Sequence, residues 1–176
     1  MTTKAYIGFG SNMGDLFQNF KNAKEKLARH EHISSLNCSS LYLSQAHTID
    51  DQAQPDYLNA VFEITTSLTL HELFHYTQAI ERNMGRTRRK KWAPRKVDLD
   101  ILFYGDAVYQ DEEITVPHPE IPRRRFVIKP LLDLNAGLIH PDLELSLKDL
   151  WDHSPDQTAL QLFTRAEQGQ GELSNA

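Results

Sequence analysis

Apolar and polar residues follow two different periods along this chain. Alternating or short apolar runs predict strands at 5–9, 33–43, 57–66 and 97–104, and two shorter strands at 107–110 and 113–116. Apolar residues at helical spacing predict helices at 16–29 and 70–84, and weaker patterns indicate helices within 126–134 and 146–152. Thr69 and Glu72 form a capping box at the start of the second helix, and Gly85 marks its end.

The order of these elements predicts the fold class. Strand, helix, strand, strand, helix and strand follow one another, which is typical of an α+β sandwich of ferredoxin-like type with a mainly antiparallel sheet. The length of 176 residues suits a single domain, predicted at 1–165. Residues 166–176 are too polar to join a core, and we expect them to form a flexible C-terminal tail.

Composition narrows the class of protein further. The chain is 40% hydrophobic and 24% charged, as expected for a globular domain with a core of its own. Cys38 is the sole cysteine, so no intrachain disulfide can form, which favours a reducing compartment. No apolar run approaches the roughly 20 residues of a membrane span, so the prediction is a cytoplasmic protein without a membrane partner.

Charge is distributed unevenly along the chain. The net charge is -5, yet residues 82–96 carry eight of the nineteen lysines and arginines and no acidic residue. We expect this basic segment to be mobile without a ligand, because its like charges repel one another. The density of basic residues, together with Trp92 as a stacking side chain, permits a nucleic-acid patch, whereas the negative net charge favours a smaller anion.

Two carboxylates follow the basic segment directly. In the predicted strand 97–104, pleating places Asp98 and Asp100 on the same side, about 7 Å apart. They could belong to a solvated strand face, or they could hold Mg²⁺ for a polyphosphate that the neighbouring arginines bind. No Gly-x-x-x-x-Gly-Lys-Ser/Thr motif is present, and Gly8-Phe9-Gly10 lacks the third glycine of a dinucleotide motif, so we predict a tight turn there.

An aromatic and an amide side chain lie on one face of the strand at 57–66. The alternation predicts that this strand is half-buried, with Tyr57 and Asn59 side by side on its polar face. They could be ordinary surface residues, but a ring beside an amide also suits a flat heterocycle. Phe126 could supply a second ring, although its pattern fits a core residue as well.

Residues 91–102 resemble the signature of the 6-hydroxymethyl-7,8-dihydropterin pyrophosphokinases of folate biosynthesis: Lys-Trp-Ala-Pro-Arg-Lys-Val-Asp-Leu-Asp-Ile-Leu. Further matching motifs occur in order at 6–14, 54–60, 85–88, 116–119 and 124–126, so the resemblance extends from about residue 5 to about residue 150. It implies a ferredoxin-like α/β/α sandwich with a mainly antiparallel central sheet, and transfer of the β,γ-diphosphate of ATP to the pterin hydroxymethyl group with release of AMP. Its small-molecule substrates would then be ATP and a reduced pterin, with no nucleic acid, and the protein would be a monomer.

The resemblance also implies a role for each matching position. Two Mg²⁺ ions would bind at Asp98 and Asp100, and Arg86 and Arg95 would be catalytic. The positions that match the ATP site are Gln78, Glu81, Arg88, Trp92, Ile101, Thr115, His118 and Arg124. The positions that match the pterin site are Ser44, Tyr57, Asn59 and Phe126. No residue is predicted to be a general base.

The chain departs from the family pattern in the segment after the second strand. Residues 42–47 lack the proline and glycine that the family usually shows, although Ser44 keeps a hydroxyl group. Two alternatives therefore stay open. One is a related enzyme with the same ATP and Mg²⁺ site but a different acceptor, and the other is a ferredoxin-like RNA-binding module that uses the basic segment.

Overall fold

A computed structural model describes residues 1–45, 56–85 and 97–164 of the chain. The strands are β1 (Thr3–Ser11), β2 (Ile33–Cys38), β3 (Leu41–Ser44), β4 (Tyr57–Thr66), β5 (Asp98–Tyr104), β6 (Tyr109–Gln110), β7 (Thr115–Val116) and β8 (Leu160–Phe163). The helices are α1 (Leu16–Ala28), α2 (Leu70–Asn83), α3 (Arg125–Leu134) and α4 (Leu147–His153), and a 3₁₀ turn spans Ile121–Arg123. Among the described residues, no helix is long and apolar enough to cross a membrane.

Six of the described strands form one antiparallel sheet in the order β5-β1-β4-β3-β8, in which β2 also pairs with β4. The strands β6 and β7 form a separate hairpin. Helices α1 and α2 pack on one face of the sheet, and α3 and α4 pack on the other, around two clusters of buried apolar residues. This arrangement confirms the predicted α/β/α fold class with an antiparallel central sheet.

The strand predicted at 33–43 is two strands. β2 and β3 lie end to end along the same edge of β4, and the ladder is interrupted at Ser39. The Ser39 hydroxyl accepts a hydrogen bond from the Val61 amide at 2.9 Å, and its own amide donates to the Val61 carbonyl. A serine side chain thus replaces a backbone partner where the chain changes register.

The prediction that β4 is half-buried was wrong. Asn59 and Val61, on the predicted polar face, are both buried, because α3 covers that face of the sheet. The opposite face packs against α1, with the ring of Phe62 stacked 5.4 Å from Phe20. Both faces of the central strand are therefore enclosed, and an amide at position 59 must find internal partners.

The helix ends agree with the sequence signals. Thr69 and Glu72 form the predicted capping box of α2, and Gly85 follows the helix with φ of +93°, a conformation that glycine adopts without steric cost. Asp15 caps α1 by accepting the amide of Gln18. The capping residues thus set where both helices on this face begin.

One strand was missed and one assignment was wrong. β8 covers four residues near the C-terminal end of the described chain, too short for its alternation to stand out. The glycines of Gly8-Phe9-Gly10 lie inside β1 rather than in a tight turn, because β1 continues to Ser11 between β4 and β5. Residues 86–96 of the basic segment that was predicted to be mobile, and the predicted tail at 166–176, lie outside the described residues, so the domain limits stay a prediction.

Candidate functional site

A cavity of about 470 Å³ lies across the sheet on the α3 face. Its walls come from β1, β3, β4 and β5, from the chain before β8, and from the first turn of α3. The structure brings eight of the residues predicted from the sequence into this one cavity: Ser44, Tyr57, Asn59, Asp98, Asp100, His118, Arg124 and Phe126. Residues that are distant in sequence and were predicted for phosphate and heterocycle binding thus share one site.

Two carboxylates stand at the β5 end of the cavity. Asp98 pairs with Gly10 and Asp100 with Gly8 across the β1–β5 ladder, so the floor beside each carboxylate is bare backbone. A Cβ at Gly8 would approach Leu102 at 3.4 Å and would take up part of this space. Among the described residues, no group of three or more His, Cys, Asp or Glu side chains forms a metal cage. Two carboxylates beside open space suit Mg²⁺, which proteins commonly hold through one or two carboxylates plus substrate phosphates and water.

His118 lies near the carboxylate end of the cavity. Burial lowers the pKa of the imidazole, and the neighbouring charges of Asp100 and Arg124 act in opposite directions on it. Its Nδ1 accepts the amide of Glu120 at 3.1 Å, so the proton of the neutral ring sits on Nε2. The ring is therefore a neutral hydrogen-bond donor beside the acidic pair.

The central part of the cavity is organised around Asn59. This residue is 3% exposed, and its Nδ2 donates to Ser44 Oγ at 2.8 Å, to the Tyr57 carbonyl at 3.2 Å and to the Tyr42 carbonyl at 3.3 Å. Because carbonyl oxygens can only accept, these contacts fix which end of the amide is nitrogen. A Cβ at Gly10 would lie 4.0 Å from both Asn59 Oδ1 and the Tyr57 ring, so Oδ1 faces the glycine side of the cavity as an acceptor.

The first turn of α3 closes another side of the cavity. Arg124 precedes the helix and Phe126 lies in its first turn, and the Arg124 guanidinium sits 5.8 Å from the centre of the Phe126 ring. Tyr57 of β4 and Phe126 therefore bring two aromatic rings to the same cavity, as the sequence predicted. Arg124 adds a positive charge to the site.

Four predicted residues are described but do not line the cavity. Gln78 lies on α2, Thr115 lies in the β6–β7 hairpin, and Ile101 is buried in the core on the α1 and α2 side of the sheet. Glu81 is 4% exposed, and its Oε2 accepts the Leu99 amide at 2.7 Å, between the two aspartates of β5. The remaining predicted residues, Arg86, Arg88, Trp92 and Arg95, lie outside the described residues.

Four of the cavity residues that sequence reasoning missed add to the picture of the site. Gly8 and Gly10 form its floor, and Asp156 and Thr158 approach from the chain before β8. The two glycines could have been found from their two-residue spacing within an apolar strand, which places both on one face. No local signal marks Asp156, because its place depends on the pairing of β8 with β3.

Comparison with known proteins defines the class. Residues 6–136 match the family described as 7,8-dihydro-6-hydroxymethylpterin-pyrophosphokinase, so the class is an ATP-dependent pyrophosphokinase. Relatives that the chain covers over most of their length are likewise named as pyrophosphokinases of a hydroxymethyldihydropteridine. The chain belongs to the 7,8-dihydro-6-hydroxymethylpterin-pyrophosphokinase (HPPK) family, which confirms the resemblance found in its motifs.

The relatives differ greatly in length. The chain is 36% identical over 152 residues to the 2-amino-4-hydroxy-6-hydroxymethyldihydropteridine pyrophosphokinase of Haemophilus influenzae, a match that covers 85% of this chain and 94% of that protein. It is 38% identical over 137 residues to the Synechocystis protein of the same name, covering 78% and 69%. It is 39% identical over 153 residues to the folic acid synthesis protein fol1 of Schizosaccharomyces pombe, covering 87% of this chain. The chain spans about a fifth of that longer relative, since the match covers 21% of it.

Solved structures agree on the fold. A crystal structure of Plasmodium falciparum HPPK-DHPS with pterin and p-hydroxybenzoate matches with a TM-score of 0.66 and 14% identity, over 86% of this chain and 44% of that one. A second, of a triple mutant of the same protein with SDX-DHP, matches with a TM-score of 0.65 and 13% identity, over 86% and 44%. At this identity the likeness concerns the fold alone, and it agrees with the sandwich described above.

Proposed function

We propose that this protein transfers the β,γ-diphosphate of ATP to the hydroxymethyl group of 6-hydroxymethyl-7,8-dihydropterin, which gives the pterin diphosphate and AMP for folate biosynthesis. The observation that carries the proposal is the single cavity, which has two carboxylates at one end and two aromatic rings with an oriented amide at the other. A flat heterocycle and a metal-bound polyphosphate would therefore meet within one site. Membership of the HPPK family supports the same activity.

The heterocycle would bind between the rings of Tyr57 and Phe126. Aromatic faces attract a flat ring system by stacking, and the acceptor Asn59 Oδ1 would take an N–H donor from its edge. Ser44 would hold the Asn59 amide in this orientation, because its hydroxyl accepts a hydrogen bond from Asn59 Nδ2. This arrangement would orient the hydroxymethyl group toward the carboxylate end.

The diphosphate would be transferred at the β5 end of the cavity. The hydroxymethyl oxygen attacks the β-phosphorus of ATP, the bond from that phosphorus to the oxygen shared with the α-phosphate breaks, and AMP leaves as the hydroxyl proton is lost. Asp98 and Asp100 would hold two Mg²⁺ ions, which supply positive charge to the phosphate oxygens. Arg124 and the neutral donor His118, which line the same cavity, would bind phosphate oxygens.

Positioning and charge would carry the reaction. Phosphoryl transfer needs little covalent chemistry from the protein, and no cavity residue needs to act as a general base in this proposal. From the resemblance, Arg86 and Arg95 are proposed as catalytic, and Gln78, Glu81, Arg88, Trp92, Ile101 and Thr115 as part of the ATP site. We also propose that the protein acts as a monomer without nucleic acid, in the cytoplasm, a compartment that its single cysteine supports.

The nucleotide product tests this proposal. The purified chain is mixed with ATP, Mg²⁺ and 6-hydroxymethyl-7,8-dihydropterin, and the products are separated by ion-exchange chromatography. AMP in equal amount to pterin diphosphate is expected, whereas ADP would contradict diphosphate transfer. AMP formation with another hydroxymethyl heterocycle but not with this pterin would indicate a different acceptor, and RNA binding that is steep in salt and indifferent to Mg²⁺ would indicate a binding module.

A further inference from the structure

The first turn of α3 is held in place by a residue from outside it. Arg124 stands at the N-cap position of this helix, but its side chain makes no capping hydrogen bond. Instead, the amide of Arg125 donates to Asp156 Oδ2 at 2.9 Å, across a separation of 31 residues. Asp156 thus does for α3 what Asp15 and Thr69 do locally for α1 and α2.

The segment that carries Asp156 is itself ordered by hydrogen bonds. Asp156 Oδ1 accepts the Thr158 amide at 2.8 Å, and the Asp156 amide donates to Ser154 Oγ at 3.3 Å. Burial opposes ionisation of Asp156, but hydrogen bonds from Thr158 and from the Arg125 amide outweigh it, so the pKa of this carboxyl is lowered. Its ionised form is therefore the one that accepts from the helix, and charge strengthens such bonds.

The side chain of Arg125 makes a second connection to the same part of the chain. Its guanidinium lies 4.5 Å from the centre of the Trp151 ring, and its Nη2 donates to the Trp151 carbonyl at 3.1 Å. The side chain of Arg125 is thus bound by α4, and its backbone amide is bound by the segment after α4. The residues on either side, Arg124 and Phe126, both line the cavity.

We propose that Asp156 is a positioning residue for the pterin end of the active site, which acts by capping α3 and so holding Phe126 against the heterocycle. This inference rests on the proposed function. The family match ends at residue 136, so Asp156 contributes to the cavity from beyond the matched part of the chain. Its effect is larger for the pterin than for ATP, because the capped turn carries the ring of Phe126, whereas ATP would be held by the two aspartates of β5 as well as by Arg124.

Loss of the cap lowers the population of the binding-competent turn. An uncapped first turn frays, and a ligand that needs Phe126 in place must then order it upon binding. Apparent affinity falls in proportion to the fraction of molecules that are competent. Removal of an N-cap acceptor corresponds to about a fivefold change in such an equilibrium.

The test compares Asp156→Ala with Asp156→Asn and with the matched control Asp152→Asn. Asp152 is an exposed carboxylate on α4 that accepts from Lys148 at 2.8 Å and also interacts electrostatically with Arg125. The control therefore removes a charge near the same guanidinium while the α3 cap remains. Initial rates of AMP formation are measured while ATP and the pterin are varied separately, and amide hydrogen exchange is followed at residues 125–128.

Asp156→Ala is expected to raise the KM for the pterin measurably and by at most about fivefold, with kcat and the KM for ATP within about twofold of wild type. Asp156→Asn keeps one acceptor oxygen, and its KM for the pterin is expected to lie between those of wild type and Asp156→Ala. Asp152→Asn is expected to behave as wild type. Exchange at 125–128 should be faster in the alanine variant. If that variant does not fold, the asparagine variant decides on the same measurements.

Three results would overturn the inference: an unchanged KM for the pterin, an equal rise in both KM values together with a fall in kcat, or the same effect from Asp152→Asn. Failure of the proposed function would look different, because the wild-type chain would then form no AMP. In that case hydrogen exchange alone decides whether Asp156 holds α3, and unchanged exchange in Asp156→Ala overturns the capping role.

Discussion

The hydroxyl of Ser44 accepts a hydrogen bond of 2.8 Å from Asn59 Nδ2 across the β3–β4 ladder. Ser44 was predicted as a substrate contact; it lines the cavity, and its hydroxyl also binds Asn59. The backbone carbonyls of Tyr42 and Tyr57 accept longer hydrogen bonds from the same NH₂ group. The serine thus makes the shortest of the three bonds that orient the amide.

Substitution of Ser44 is expected to weaken pterin binding through Asn59. Ser44→Ala removes one acceptor from a buried amide, at a cost of about 1 kcal/mol or a fivefold rise in the KM for the pterin. Ser44→Thr keeps the hydroxyl and should bind as wild type. The measurement is steady-state kinetics with ATP and pterin varied separately. Ser34→Ala, the same change on the exposed part of β2, is the control, and an equal effect there would contradict the prediction.

The two aspartates of β5 should dominate the rate. Asp98→Asn or Asp100→Asn keeps the side-chain shape but removes a negative charge that would hold Mg²⁺, and we expect kcat to fall about 100-fold or more. Activity against Mg²⁺ concentration is the measurement, and the midpoint should rise in both variants. Asp106→Asn, an exposed carboxylate in the turn after β5, is the control. Near wild-type turnover of Asp98→Asn at saturating Mg²⁺ would refute the metal assignment.

The sequence predicted those features that depend on a local period. The range 57–66 is matched residue for residue by β4, because strict alternation marks a strand wherever it packs. Asp98 and Asp100 share a face because pleating alone places them there, and the α2 capping box forms within four residues. The strand range, the shared face and the capping box can each be predicted without knowing which distant segment packs against them.

Features that depend on pairing between distant strands could not be predicted. The bare floor beside Asp98 and Asp100 arises from the register of β1 against β5, which brings Gly10 and Gly8 opposite them. Asn59 is buried rather than exposed because α3 packs on this face of the sheet. That helix begins at Arg125, 66 residues after Asn59. Asp156 reaches the cavity through the β3–β8 pairing. The break at Ser39 likewise depends on Val61.

Glu81 should stabilise the backbone of β5 between the two aspartates. Its carboxylate accepts the Leu99 amide at 2.7 Å, between Asp98 and Asp100, and it is almost fully buried. Glu81→Ala leaves that amide without this acceptor, which should lower the free energy of unfolding by about 1 to 3 kcal/mol. Glu81→Gln, which keeps an acceptor oxygen, should lose less. Urea unfolding measures the effect, and Glu25→Gln on the exposed side of α1 should change nothing.

Asp111 is expected to couple stability to pH at the β6–β7 hairpin. The Ile114 amide, then the His71 ring and the Tyr109 hydroxyl, hold the pKa of this carboxyl well below its usual range. The His71 contact, at 2.6 Å, connects the hairpin to α2, and Asp111 Oδ1 accepts the amides of Glu113 and Ile114. Because the folded state favours the ionised form, the stabilisation is complete above the unfolded pKa of about 4 and is lost as pH falls toward the lower folded value.

Asp111→Asn therefore should lower the thermal midpoint at pH 7 more than at pH 3. At the lower pH the unfolded wild-type chain takes up the proton that the folded state resists, so the advantage of the carboxylate shrinks. Thermal unfolding at pH 3, 4, 5 and 7 measures the difference between wild type and variant. Asp106→Asn corrects for the loss of one negative charge on an exposed turn. A difference that stays constant across this range, or grows as the pH falls, would mean that Asp111 holds the hairpin without its charge.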